Sequence, residues 1–366
     1  MIITRPTLLL DEQRCRANIR RMAEKARRHH LIFRPHFKTH QSHEVGRWFR
    51  DEGVEACTVS SVSMASYFAA DGWKDITVAF PLNFLEAEEI NRLASAIRLN
   101  ILAVNPEALR GLLGKLTAEV GVFIEVDCGY HRTGVDASDA QTFEAILSLV
   151  DASPLLNFRG LLTHAGHSYA CRSGIEILTI HQQTTQVLKK VAARLRTRYP
   201  DLVVSVGDTP TCSAANDFSG VQEIRPGNFV FYDVTQRVIG ACTEENIAVA
   251  LACPVVAVYL SRGEIIVHGG GVHLSKDFLK NEDGSASFGR VVRMTEQGWS
   301  LPTTGMTVKS LSQEHGVIRA GETDCASVKP GDVLGILPVH SCMTADVMTE
   351  YYTLAGGRIR MMPKAE

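Results

Sequence analysis

No stretch of this 366-residue chain approaches the roughly 20 consecutive apolar residues of a membrane span, and its N-terminus lacks the basic and apolar regions of a secretory signal. The expected location is therefore cytoplasmic. A net charge of -2 supplies no whole-chain electrostatic reason to bind nucleic acid. CxxC pairs are also missing: the nine cysteines are odd in number and widely scattered, as reduced thiols are and a disulfide scaffold is not. Internal repeats and low-complexity tracts are absent too. What remains is an ordinary globular composition, 45% apolar and 21% charged, in a chain long enough for two domains. Its one basic run, Arg14 to Arg28, sits on a helical pattern with Cys15, Ile19, Met22, Ala23 and Ala26 opposite, which predicts the wet face of an amphipathic helix.

From about residue 30 to residue 226, short apolar runs alternate with longer amphipathic segments. The predicted strands are 31–34, 54–58, 76–79, 101–104, 122–126, 158–162, 202–206 and 221–224, and predicted helices include 84–96, 106–116, 137–149 and 175–199. The last of these carries Leu178, Val187, Leu188, Val191 and Leu195. Eight such units suit an α/β fold of the (β/α)8 TIM-barrel type, although a doubly wound open sheet has the same unit count. Polar and glycine-rich clusters follow nearly every strand, where barrel enzymes place their chemistry. Beyond about residue 240, strand-like runs at 249–260, 264–268, 306–311, 333–337 and 358–361 predict an antiparallel, all-β domain.

Lys38, in Arg34-Pro-His-Phe-Lys-Thr-His40, lies just past the first predicted strand, where its amine can form a Schiff base with an aldehyde cofactor. His36, Lys38 and His40 alternate, so a continued strand would put them on one face, with burial and positive neighbours lowering the lysine pKa. A solvent-exposed lysine beside surface histidines is the plain alternative. After the seventh and eighth strands come Gly207, Thr209, Gly227 and Asn228, a candidate phosphate cradle or simply two turns. His340 and Cys342 are two residues apart; extended backbone would direct imidazole and thiolate toward one zinc ion, with a buried thiol beside a hydrogen-bonded histidine as the alternative. Around the barrel rim, Tyr130, His131, Arg132, His164, His167 and Tyr169 cluster. The segments 268–271 and 313–316 read as tight glycine turns.

Taken together, Arg34 to His40, Glu125-Val-Asp-Cys-Gly-Tyr-His-Arg-Thr-Gly134, Arg225-Pro-Gly227, Leu311 to Gly316 and Pro338-Val-His-Ser-Cys342 resemble the fold-type III pyridoxal-phosphate enzymes that include D-threonine aldolases and eukaryotic-type D-serine dehydratases. The alanine racemase N-terminal barrel is a more distant relative. This resemblance implies a barrel over residues 11–238 and a β domain formed by 1–10 and 239–366. It further implies that Lys38 carries pyridoxal 5'-phosphate, with Gly207, Thr209, Gly227 and Asn228 around the phosphate, Arg132 near the phenolic oxygen and Tyr169 near the ring. His340 and Cys342 match the metal pair; cysteine at the second position resembles the dehydratase branch and favours Zn2+. Phe37 and Val339 depart from the residues expected beside the lysine and the metal histidine. The implied enzyme is a homodimeric lyase that eliminates water from a small β-hydroxy D-amino acid such as D-serine or D-threo-3-hydroxyaspartate, giving a 2-oxo acid and ammonia. Aldol cleavage to glycine and an aldehyde is the alternative, and a non-catalytic cofactor-binding protein a further one.

Overall fold

The computed structural model describes residues 2–302 and 305–364, so that 1, 303, 304, 365 and 366 of the expected β domain lie outside the described residues. The chain forms two compact units, Arg21–Gly227 and, from both ends of the sequence, Met1–Arg20 with Asn228–Glu366. The helix Glu12–Arg28 straddles the division, and buries Cys15, Ile19, Met22, Ala23 and Ala26 as its sequence predicts.

Eight parallel strands make the first unit: Ile32–Phe33, Ala56–Val59, Asp75–Pro81, Arg98–Ala103, Val120–Asp127, Leu156–Thr163, Val203–Val206 and Glu223–Ile224. From the second strand on each pairs with the next, and the eighth pairs with the first through Glu223↔Ile32. The first and second strands meet only at the bridge His36↔Thr58, which leaves the barrel nearly closed and removes the open-sheet alternative. Strands such as Val120–Asp127 are apolar along nearly their whole length because both faces are covered. The intervening helices start where the sequence supplies caps: Ser61, Asn105, Asp139, Ser173 and Asp208 each accept a hydrogen bond from a backbone N–H three residues on. In the long helix Gly174–Leu195 the buried stripe differs from the apolar one predicted. It runs through Ile177, His181, Thr184, Leu188 and Val191, while Leu178 is exposed. His181 tolerates burial because its Nε2 bonds the Asp217 carbonyl at 2.7 Å.

The inside of this barrel is partly ionic. Buried Arg34 donates to Asp75 at 2.5 Å and to Glu223 at 2.7 Å; Glu223 in turn accepts from Ser205 at 2.6 Å, and Ser205 accepts from buried Arg225 at 2.7 Å. Arg34 is paired with two carboxylates, and Arg225 is held by hydrogen bonds to Ser205 and the Thr163 carbonyl, the conditions under which charges are tolerated out of water.

In the second unit six antiparallel strands close on themselves. Val249–Tyr259 pairs with Glu264–His268, followed by His315–Arg319, Thr307–Leu311, Gly289–Thr295 and Val333–Pro338, which returns to Val249–Tyr259. Thr7–Leu10 extends this sheet, antiparallel to Val249–Ala252 and parallel to Tyr352 and Thr353.

Candidate functional site

Lys38 stands in a turn beyond the first barrel strand. The strand continuation expected for His36, Lys38 and His40 does not occur: after the bridge at His36, residues 37–40 turn, and the three side chains part company. His36 N–H bonds the Pro226 carbonyl at 2.9 Å, and Phe37 N–H bonds the Thr58 carbonyl at 2.8 Å, so the turn is held on both flanks. Phe37 and His40 point inward. Phe37 packs against Phe49, Phe68 and Trp73 with ring centroids 4.8–5.1 Å apart, and His40 joins the same cluster. Lys38 itself is exposed.

Burial pushes His40 down to about 3, and holds His36 well below the ordinary imidazole range with help from the positive charges of Lys38 and Arg225. Both rings are therefore neutral near pH 7, and the expected positive charge beside the lysine comes instead from arginine. His164 behaves alike: burial lowers it to about 3, and its Nδ1 bonds the Gly207 carbonyl at 2.6 Å. Lys38, Arg132 and Arg225 act electrostatically on both His36 and His164, so the structure gathers the ends of the first, fifth, sixth and eighth strands around Lys38.

The expected cradle residues divide. A Cβ on Gly207 would lie 2.8 Å from the Cβ of Arg225, and one on Gly227 would lie 2.9 Å from the His36 carbonyl oxygen, so both positions require glycine. Thr209 is buried at the start of the helix Thr209–Ala214, and its N–H donates to the Tyr169 hydroxyl at 3.3 Å. Arg132 is exposed, with its guanidinium 5.4 Å from the centre of the Tyr130 ring. Asn228 departs from the group. It falls in the other unit, where its side-chain amide donates to Asp233 at 2.7 Å, to Ser341 at 3.0 Å and to the Cys342 sulfur at 3.5 Å.

His340 and Cys342 meet, by a route other than the extended backbone expected. His340 is the N-cap of the helix Ser341–Met348, extended at φ -134, ψ 97, whereas Cys342 is already helical. The capping turn brings imidazole and thiol into hydrogen-bond contact. Burial lowers the His340 pKa, but hydrogen bonds to Asp277 and Cys342 and the charges of Cys342 and Asp233 outweigh it, raising the group to about 11. His340 Nδ1 lies 3.1 Å from Asp277 Oδ2, and a carboxylate on the second imidazole nitrogen is the usual support of a metal-binding histidine. An imidazole and a thiol side by side, with a carboxylate on the other ring nitrogen, are a donor set that fits a divalent metal. The supporting Asp233, Asp277 and Ser341 were not foreseen, nor was buried Arg225, which donates to Ser205 and to the Thr163 carbonyl at 2.6 Å. Only Arg225-Pro-Gly227 carried a signal. The others join segments far apart in the chain.

The family of the alanine racemase N-terminal domain matches residues 10–234, and that of the serine dehydratase domain matches 248–354. A D-threo-3-hydroxyaspartate dehydratase of Delftia sp. (strain HT23) is 32% identical over 96% of this chain and 94% of its own length. A D-serine dehydratase of Dictyostelium discoideum is 29% identical over 95% of this chain and 93% of its own length. The solved structure of the Delftia dehydratase superimposes with a TM-score of 0.89, at 29% identity over 99% of this chain and 98% of that one. A cysteine-to-alanine mutant of the D-threo-3-hydroxyaspartate dehydratase, described as the metal-free form, gives 0.90 at 28% identity over 99% of this chain and 98% of that one.

Proposed function

Because the chain belongs to the fold-type III pyridoxal-phosphate enzyme family of alanine racemase-like, D-serine dehydratase and D-threonine aldolase proteins, we propose that it is a lyase removing water from a β-hydroxy D-amino acid. D-serine and D-threo-3-hydroxyaspartate are the substrates of choice, and a 2-oxo acid and ammonia the products. The observation that carries elimination is the cysteine at 342, hydrogen bonded to His340: a relative whose cysteine mutant is described as metal-free matches the chain almost end to end.

Pyridoxal phosphate would supply an electron sink for the charge developing at Cα, and zinc a Lewis acid for the departing hydroxyl. Lys38 would hold the cofactor and, once released by substrate, take the α-proton on its amine. Neutral His36 and His164 accept or donate hydrogen bonds there without placing further positive charge beside that amine. The backbones of Gly207, Thr209 and Gly227 would surround the phosphate, joined by Asn228 through its backbone, since its side-chain amide is engaged elsewhere. Arg132 would face the phenolic oxygen and Tyr169 the ring. His340 and Cys342 would hold the metal, Asp277 orienting the imidazole. We take the working unit to be a homodimer, and its location to be the cytoplasm, the compartment that suits nine scattered cysteines with no CxxC pair.

Metal-replete and metal-stripped protein, each with D-serine, D-threonine and D-threo-3-hydroxyaspartate, should be compared by mass spectrometry of all products. Pyruvate from D-serine or oxaloacetate from the hydroxyaspartate is expected, falling at least tenfold without metal, while Lys38→Ala gives no turnover and no borohydride-fixed adduct. Glycine with the matching aldehyde, and no deaminated product, would replace elimination by aldol cleavage. That reading has its own support in a 3-hydroxy-D-aspartate aldolase of Paracoccus denitrificans, 32% identical over 46% of this chain.

A further inference from the structure

Another group of side chains with metal-ligating donor atoms lies in the antiparallel barrel. His268 ends the strand Glu264–His268, His273 lies in the short helix Gly271–Leu274, and Glu314 directly precedes the strand His315–Arg319. One donor atom from each falls within 4.8 Å of the others. Glu314 Oε2 is 3.4 Å from His268 Nε2 and 3.6 Å from His273 Nε2. Donors on a tetrahedral zinc with bonds of about 2.0–2.2 Å are roughly 3.3–3.6 Å apart, so the carboxylate already stands at coordination spacing from both imidazoles. Two histidines and one carboxylate form a triad that leaves positions open for water or another ligand.

The backbone holds this arrangement in place. Gly269 N–H bonds the Glu314 carbonyl at 2.9 Å, and Gly271 N–H bonds the Ser312 carbonyl at 2.8 Å. His268 and His315 are paired in the ladder. A Cβ on Gly270 would lie 2.3 Å from the Gln313 carbonyl oxygen, and one on Gly316 would lie 2.6 Å from the Gly269 oxygen. The two segments read from sequence as separate turns therefore clamp one another. Burial lowers the pKa of His273, favouring the neutral ring a metal requires. Its Nδ1 accepts the Gly270 N–H at 3.2 Å, which leaves the hydrogen on Nε2, facing Glu314. Coordination moves that hydrogen to Nδ1 at the expense of one amide contact, and the cation takes its place between ring and carboxylate. His268 and Glu314 are 40% and 50% exposed, giving an ion access from solvent.

We propose that His268, His273 and Glu314 bind a divalent first-row transition cation such as zinc, separately from His340 and Cys342. The full chain loaded with pyridoxal phosphate, cleared of metal by a chelator, should be titrated with zinc against a chromophoric competitor and its metal content measured. His268→Asn/Glu314→Gln should lower uptake by one zinc per chain, both in the otherwise native protein and in a His340→Ala/Cys342→Ala background. An unchanged stoichiometry in either background overturns the site. Where the His268→Asn/Glu314→Gln protein does not fold, cobalt added to the His340→Ala/Cys342→Ala protein decides. One equivalent with visible d–d bands and no thiolate charge-transfer band supports the site; no uptake, or a thiolate band, overturns it. Because the readout is metal content, the proposal stands or falls independently of which bond of the substrate breaks.

Discussion

His40 has no water-accessible surface, stacks on Phe49 and is held near pKa 3 by burial, against about 6.5 for an unfolded histidine. A folded-state pKa below the unfolded one means that the unfolded chain binds more protons between those values. Stability is then fully present above about pH 6.5 and is lost as the pH falls toward 3. Between pH 7.5 and pH 5 this one ring should cost about 2 kcal/mol, with His36 acting in the same direction. Urea unfolding across that range should show a falling midpoint in native protein and a flatter profile in His40→Gln; equal slopes would remove His40 as the cause. The residue-scale reading of the sequence put Lys38 just past the first strand, where it lies, yet set both flanking histidines beside it. What it lacked was the turn at 37–40, closed by Gln41 at φ 48, which sends alternate side chains to opposite surroundings. Asn228 illustrates the same gap: its partners Asp233, Ser341 and Cys342 converge only in the folded unit.

Elements were legible where both faces are buried. Barrel strands announce themselves as apolar runs between polar clusters, and all eight lie where the sequence places them. Among the strands that escaped, Gly289–Thr295, His315–Arg319 and Glu350–Thr353 are half-exposed, with arginine, glutamate or histidine interrupting their apolar positions, and the buried Thr7–Leu10 escaped because its partners lie more than 200 residues away. The helix Ser341–Met348 escaped for a related reason: its cap is a histidine, which lacks the short side-chain oxygen that marks helix starts. An element-scale prediction concerns the Lys38 turn. Phe37 fastens it to the aromatic cluster, so Phe37→Ala should destabilise the protein by about 3–5 kcal/mol. It should lower kcat as the lysine loses its fixed position. Chemical unfolding and steady-state kinetics on the same preparation check both; a stable variant with native kcat would assign Phe37 no part in holding the turn.

At the scale of the whole molecule, the change in texture near residue 240 marked a second unit, but its closure into a six-stranded ring rests on pairings between distant segments that no local pattern encodes. Its dependence on the N-terminus is testable. Deleting residues 2–10 removes the strand that lies on Val249–Ala252. Hydrogen exchange should then lose protection at 249–252 and 352–353 while the ladder amides of 120–127 stay protected; unchanged protection at 249–252 would make the N-terminal strand dispensable.

The same strand bears on how the chain is made. Thr7 finds Ala252, and Leu9 finds Tyr352, only after the entire parallel barrel has left the ribosome. At the usual pace of synthesis the segment Thr-Leu-Leu-Leu waits, unpaired, for roughly 10–50 s before its first neighbour emerges. The barrel can mature during that interval, but this strand, translated ahead of the barrel, is satisfied only after it. Overexpression at a higher synthesis rate is therefore expected to lower the soluble fraction through Thr7–Leu10, and a soluble yield indifferent to expression rate would count against it.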